Sequence, residues 1–158
     1  MTTVEVSITG IEDVLAHIDY MRKGLEKPGD ELIKALQEEA VDETERRWLA
    51  NGDGEWAPLK SETTRRKLRK GGTTVALIDT GTMFGSLRAD QTAPTEIRLS
   101  VPYGGEKRDP NVPRYQQYGT RHIPARPMLK KTARLKGRII KVMLEYIYKL
   151  IAYKEPMR

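Results

Sequence analysis

Val4, Val6 and Ile8 alternate with polar residues, the period of a half-buried strand, and Gly10 ends the run. Ile11, Val14, Leu15, Ile18 and Met21 then recur at helical spacing, with Leu25 one turn further on. An amphipathic helix is therefore predicted, closed by Gly24 and Pro28-Gly29. Asp30 is placed to cap a second helix. Leu32, Leu36, Ala40, Thr44 and Trp48 follow at four-residue steps, and Ile33 and Val41 widen the stripe. The other face of that helix is acidic: Glu38, Glu39, Asp42, Glu43 and Glu45. Asn51-Gly52-Asp53-Gly54 stops it.

Beyond that stop, Trp56 is an aromatic anchor in a compact turn, packed on the core, and Ser61 is placed to cap a short basic helix. That helix carries Arg65-Arg66-Lys67-Leu68-Arg69-Lys70 and ends at Gly71-Gly72. The apolar run Val75 to Ile78 predicts a strand or extended arm that meets a corner at Asp79-Thr80-Gly81. Asp and Thr bond backbone N–H groups locally, and Gly81 is free to take a positive φ. A hairpin follows, with strands at Ser86–Gln91 and Glu96–Val101 around an Ala93-Pro94-Thr95 turn. Residues 102–111 form a polar loop. Prolines at 113, 124 and 127 predict an extended segment there, and Pro127 suits the first turn of a final helix. The apolar stripe of that helix is Met128, Thr132, Leu135, Ile139, Val142, Met143, Tyr146, Ile147 and Leu150. Its opposite face is Lys130, Lys131, Arg134, Lys136, Arg138 and Lys141. Gly137 weakens its middle.

These elements predict one α+β domain over 1–158: a small antiparallel sheet, N-terminal helices, and a long C-terminal helix packed on it. Residues 1–28 supply the first strand and helix, and 154–158 a flexible tail. No apolar stretch is long enough to span a membrane and no signal segment is visible, so a soluble protein made in a cytoplasm is expected. The chain has no cysteine, which excludes disulfides, thiolate chemistry and Cys-based zinc sites.

Charge changes the picture more. Residues 1–55 hold 14 acids and 6 bases, while residues 56–158 hold 8 acids and 22 bases. Between Asp109 and Glu145 there are nine Lys or Arg and no acid. Such a split is compatible with a nucleic acid, an acidic partner, one copy's acidic half facing the next copy's basic half, or simply two solvated faces. The acidic helix face lacks the tight turn on which a calcium loop spaces its oxygens. His17 has no second ligand nearby and reads as a surface residue. No metal or cofactor site is expected.

One triplet invites an enzymatic reading. An apolar strand running into Asp79-Thr80-Gly81 is the local signature of an aspartic protease, whose paired carboxylates share a proton and activate water. A single triplet would require a dimer, and the Gly-rich flap and second apolar-Gly motif of the retroviral enzymes are missing. Hydrolase triads and phosphate-binding loops have no support either: there are two histidines, no Gly-x-Ser-x-Gly, and no Gly-rich loop with Lys-Ser/Thr.

Taken in order, several pieces resemble the bacteriophage virion-morphogenesis and tail-completion proteins, the group that includes Mu-like G proteins and HK97-type neck or tail components. The pieces are Gly54-x-Trp56-x-Pro58-Leu59, a basic Thr-rich helix, and Leu77-x-Asp79-Thr80-Gly81-x-Met83-x-x-Ser86-Leu87. A hairpin, Tyr115-Gln116-x-x-Gly119, Ile123-Pro124-Ala125-Arg126-Pro127-Met128-Leu129 and a long helix complete the set. The resemblance covers roughly residues 30–150. It implies a small α+β subunit without enzyme activity, which joins a ring, expected to be sixfold, where the tail of a virion meets its head. Its partners would be further copies of itself, the head-tail connector or stopper, the tail terminator and the tail tube. In that picture Trp56, Asp79, Thr80, Gly81, Gly119, Pro124, Arg126 and Pro127 are structural. Arg126 either pairs with a carboxylate inside the subunit or reaches across an interface. Glu38, Glu39 and Asp42 would meet a neighbour's basic surface at Lys130, Arg134 and Arg138. The other class of reading is a DNA-binding module that uses Arg65 and Arg66 within 65–70 together with 130–141. Binding driven by phosphates weakens steeply with salt, and affinity that barely moved with salt would argue against it.

Overall fold

The structure, a computed structural model, describes residues 11–103 and 109–152. The strand predicted at Val4–Ile8, most of the polar loop at 104–108 and the tail at 154–158 lie outside the described residues. Helix α1 spans Ile11–Glu26, α2 spans Asp30–Leu49 and α3 spans Ser61–Arg69. Strands β1 (Arg88–Ala93) and β2 (Glu96–Ser100) form one antiparallel hairpin. Helix α4 spans Val112–Tyr118, and the long α5 spans Ala133–Ala152. The fold is mixed α+β. Among the described residues no helix is long and apolar enough to cross a membrane.

The central element is α2. It packs against α5 on one side and against the hairpin on another, and Gln37 Nε2 donates to Ala89 O at 3.0 Å to tie it to β1. The hairpin register pairs Ala89 with Leu99 and Gln91 with Ile97, with an irregularity before Ala93. Ile97 and Leu99 line one cavity with Leu36 and Ala40 of α2 and Leu135 and Ile139 of α5. The core sits at the C-terminal end of α2. There Trp48, fully buried, is packed with Trp56, Ala76, Met83 and Met128. The Phe84 ring lies 5.5 Å from the Trp48 ring, tilted by 55°.

Several elements differ from the sequence expectation, each for a local reason. Gly29 and Lys60, not Asp30 and Ser61, occupy the N-cap positions of α2 and α3. Asp30 therefore adds its charge to the first turn, where it complements the helix dipole. The run Val75–Ile78 is not a strand. Asn51 Oδ1 accepts the Ala76 N–H at 2.7 Å, Lys67 Nζ donates to Val75 O at 2.5 Å, and Leu77 takes φ +67°. Side chains thus occupy the backbone groups that a sheet partner would need. The corner itself forms as expected, with Gly81 at φ +78°, but a single 3-10 turn, Phe84–Ser86, follows it and β1 starts only at Arg88.

The segment predicted to be extended between Pro113 and Pro127 begins instead as α4, because Pro113 falls in the first turn, where its missing N–H costs nothing. Gly119 ends α4 at φ +76°. The chain then runs to residue 132 as a strap with no regular secondary structure, bending at 121–123 and 128–129. The final helix starts at Ala133 rather than at Pro127, since the carbonyls of Pro127, Met128 and Leu129, which a helix opening there would use as acceptors, are taken by Arg47 Nη1, Trp48 Nε1 and Gln117 Nε2.

Helix α1 departs in its packing. Its predicted stripe meets α5 only near its C-terminal end, where the Tyr146 hydroxyl donates to Gly24 O at 3.2 Å. Val14, Leu15 and Ile18 are 58%, 59% and 50% exposed. On α5, Met143 faces outward, 43% exposed, rather than into the stripe.

Two glycines give opposite expectations. A Cβ at Gly119 would lie 2.8 Å from Ala125 N and 3.0 Å from Ile123 O, both strap backbone, at a φ that side chains resist. Gly119→Ala should destabilise the fold by about 2 kcal/mol or more. A Cβ at Gly137 meets nothing within 4 Å, so Gly137→Ala should stabilise by about 0.5–1 kcal/mol. Equilibrium denaturation of both variants checks the two signs together.

Candidate functional site

Three features could carry interaction or chemistry: the charged seam between α2 and α5, the basic helix α3, and a cleft that α3 shares with the 77–83 loop and the strap.

In the seam, Glu43 is 2% exposed, although the helical pattern placed it on the wet acidic face. It sits toward α5, where Arg134 Nε lies at 3.1 Å and Arg138 Nη1 at 3.5 Å, and Arg46 of its own helix binds it at 2.8 Å. Arg138 also pairs with Glu39. Lys130 holds Glu55 at 2.6 Å, Arg47 reaches the same carboxylate at 2.8 Å, and Lys149 meets Glu31 at 2.8 Å. The acidic helix therefore meets the basic segment 130–138 within one chain. Glu39, Lys130, Arg134 and Arg138, expected at a subunit or DNA contact, already have partners here. Glu38 and Asp42 remain exposed on α2.

The electrostatic consequences follow from these pairs. Arg46, with Arg134 and Arg138, holds the Glu43 carboxyl below its ordinary range despite the opposing effect of burial. Lys130, and then Arg47, does the same to the exposed Glu55. Hydrogen bonding to Glu39 raises the Arg138 guanidinium.

On α3, Arg65, Arg66 and Arg69 are exposed and bound to no carboxylate among the described residues. Lys67 of the same basic run turns inward and is buried, while Leu68 is exposed. The helix thus presents arginines outward and one lysine into the protein.

The cleft has a volume of about 710 Å³ and is lined by Lys67, Asp79, Thr80, Gly81, Gln116, Pro124 and Arg126 among others. It gathers most of the residues singled out from the sequence as structural. Asp79 and Thr80 are exposed at its rim, and Thr80 Oγ1 lies 2.9 Å from Thr82 Oγ1. Arg126 is buried and finds no carboxylate among the described residues. Its Nε and Nη2 donate to Ala57 O at 3.3 and 3.1 Å, and its own N–H donates to Gln116 O at 2.7 Å. Burial lowers the pKa of Arg126. Burial also lowers that of Lys67, which the nearby Asp79 opposes and Arg126 reinforces.

The remaining motif residues are parts of the packing. Trp56 lies in the core under the Arg47 guanidinium, 5.6 Å from its ring centroid, and Pro127 O accepts from Arg47 Nη1 at 2.5 Å. His17 stacks on Tyr20 at 6.2 Å. Sequence reasoning missed Glu43, Arg47, Lys67 and Gln117 as structural polar residues. Only the tertiary fold brings their partners, 8 to 95 residues away, into reach. Compared with protein-family models, with curated proteins and with solved structures, the chain matches none.

The depressed Glu43 carboxyl gives a signed expectation. Its stabilising contribution is complete above about pH 4.5 and is lost as the pH falls through the depressed value, where the folded state must take up the proton. Glu43→Gln should cost about 2 kcal/mol at neutral pH by leaving Arg134 and Arg138 without their shared anion. The stability gap between the variant and the parent should close toward pH 3. Urea titrations at both pH values measure it.

Proposed function

We propose that this chain is a structural subunit of a tailed-phage particle, acting in tail completion and head-tail joining through contacts with copies of itself and with neighbouring neck and tail components. One observation carries the reading. Helix α5 is apolar on two faces. Leu135, Ile139, Val142, Tyr146 and Leu150 turn inward, while Ile140, Leu144, Tyr148 and Ile151 are exposed at 44%, 47%, 68% and 52% along another. A helix with apolar residues on both faces belongs in a layered assembly rather than at a free surface. Helix α1, which touches α5 near its own C-terminal end, leaves a second half-exposed apolar stripe at Val14, Leu15 and Ile18.

The ordered motifs support the reading from another side. Trp56 and the Arg126-Pro127-Met128 strap meet as one packing unit, the part such motifs would play in a subunit without catalysis. The charge-driven ring contact first suggested by the acidic and basic halves is replaced by an apolar one, since those charges are largely spent within the chain. A DNA-binding role is the second reading. It now rests on α3, whose three arginines are free of carboxylate partners among the described residues, and the salt criterion given above tests it.

The main reading is tested by electron microscopy of lysates from a phage carrying a stop codon in this gene. DNA-filled heads beside separate tails, or tails of aberrant length, are expected. A Leu144→Asp, Tyr148→Asp chain should reproduce the defect while the purified variant keeps its helical circular dichroism. Intact particles from both phages would overturn the assignment.

A further inference from the structure

The cleft between α3, the 77–83 loop and the strap holds two buried cations that make no ion pair among the described residues. Lys67 is 5% exposed and Arg126 is 7% exposed. Their hydrogen-bond partners are neutral carbonyls: Val75 O for Lys67, Ala57 O for Arg126. An ammonium carries three N–H donors and a guanidinium five, so these two carbonyls leave donor capacity unused on both. Asp79 is the acid in the lining. It stands exposed at the rim, its field favours the charged form of Lys67, and it makes no ion pair with either cation.

A second observation is independent of charge. Gln116 Oε1, in the same lining, is buried and has no hydrogen-bond partner among the described residues. It asks for a donor, where Lys67 and Arg126 ask for an acceptor. Leu59, Leu77, Met83 and Ile123 add apolar patches to the lining.

We propose that this cleft binds a carboxylate side chain on a peptide segment of a partner protein. The carboxylate accepts from Lys67 and Arg126, a neighbouring peptide N–H donates to Gln116 Oε1, and apolar side chains on either side of the acid rest on the walls. A peptide supplies all three features at once. A phosphodiester backbone supplies the acceptor alone, without a donor for Gln116 Oε1. Binding of a single carboxylate supplies the counter-charge that two desolvated cations lack. The site belongs to the isolated chain and goes beyond the assembly role, so either can fail without the other.

The test is an amide NMR titration of the full chain with acetyl-Leu-Glu-Leu-amide, with the Leu-Gln-Leu analogue, with inorganic phosphate and with a short oligothymidylate, each into the millimolar range. The Glu peptide should shift the amides of residues 67, 116 and 126 saturably, and the Gln peptide should bind about tenfold more weakly, the loss expected for a charge-assisted contact. Asp79→Asn, a change at an exposed position, should tighten the Glu peptide by about twofold or more. Equal binding of the two peptides, no shifts at the cleft, or tighter binding of phosphate or oligothymidylate than of the Glu peptide would each overturn the proposal. The peptide comparison uses the unaltered chain, so it does not depend on a variant's folding.

Discussion

The fold depends on how the strap from Ile123 to Thr132 satisfies its backbone. It is partly buried and irregular, and it pairs with no strand among the described residues. A buried N–H or C=O left without a partner costs about 1–3 kcal/mol, so each must be answered by something other than a sheet. Side chains from distant elements do this. Arg47 donates to Pro127 O, and Trp48 Nε1 donates to Met128 O at 3.3 Å. Gln117 accepts from Met128 and Leu129 and donates to Leu129 O at 2.9 Å. Arg126 in turn donates to the carbonyl of Ala57 in the Trp56 turn. Trp48, the turn that carries Trp56, the C-terminal end of α2, α4 and the strap are thereby one hydrogen-bonded unit, and the hairpin and long helices pack around it.

This arrangement sets how much was legible in the sequence. The 3.6-residue periodicities of α1, α2 and α5 and the alternation at Ile97 and Leu99 are local, and they marked those elements well. Trp56 was recognisable as an anchor because an aromatic in a Gly-rich turn has few other roles. The start of the last helix was not legible. Pro127 is well suited to open a helix, but Arg47, Trp48 and Gln117 take the carbonyls of residues 127–129 that its first turn would need, and the helix begins only at Ala133. Val75–Ile78 looks like a strand for the same reason that it fails to be one: its backbone is claimed by Asn51 and Lys67 from elsewhere in the chain. Glu43 sits on the acidic face by pattern, and only the approach of α5 makes that part of the face interior.

The charge split has a similar history. By sequence the chain has an acidic half and a basic half, which suggested partners. In the fold the two halves close on each other through Glu39, Glu43 and Glu55, so much of the asymmetry is internal. What remains for partners is of other kinds: the outer apolar stripe of α5 with α1, the arginines of α3, and a cleft whose cations have only carbonyls for company. The proposed contacts thus fall where folding has left groups unanswered, rather than where charge is densest.

The central claim is that side chains, in place of a sheet, lock the strap into the core. Native-state hydrogen exchange at the Met128 and Leu129 amides addresses it most directly. If Gln117 holds both, they exchange only with global unfolding, among the slowest amides of the chain and as slowly as those in the middle of α2. Exchange of these two amides as fast as that of the exposed hairpin turn at Pro94–Thr95 would mean the strap opens freely, and the account would be wrong.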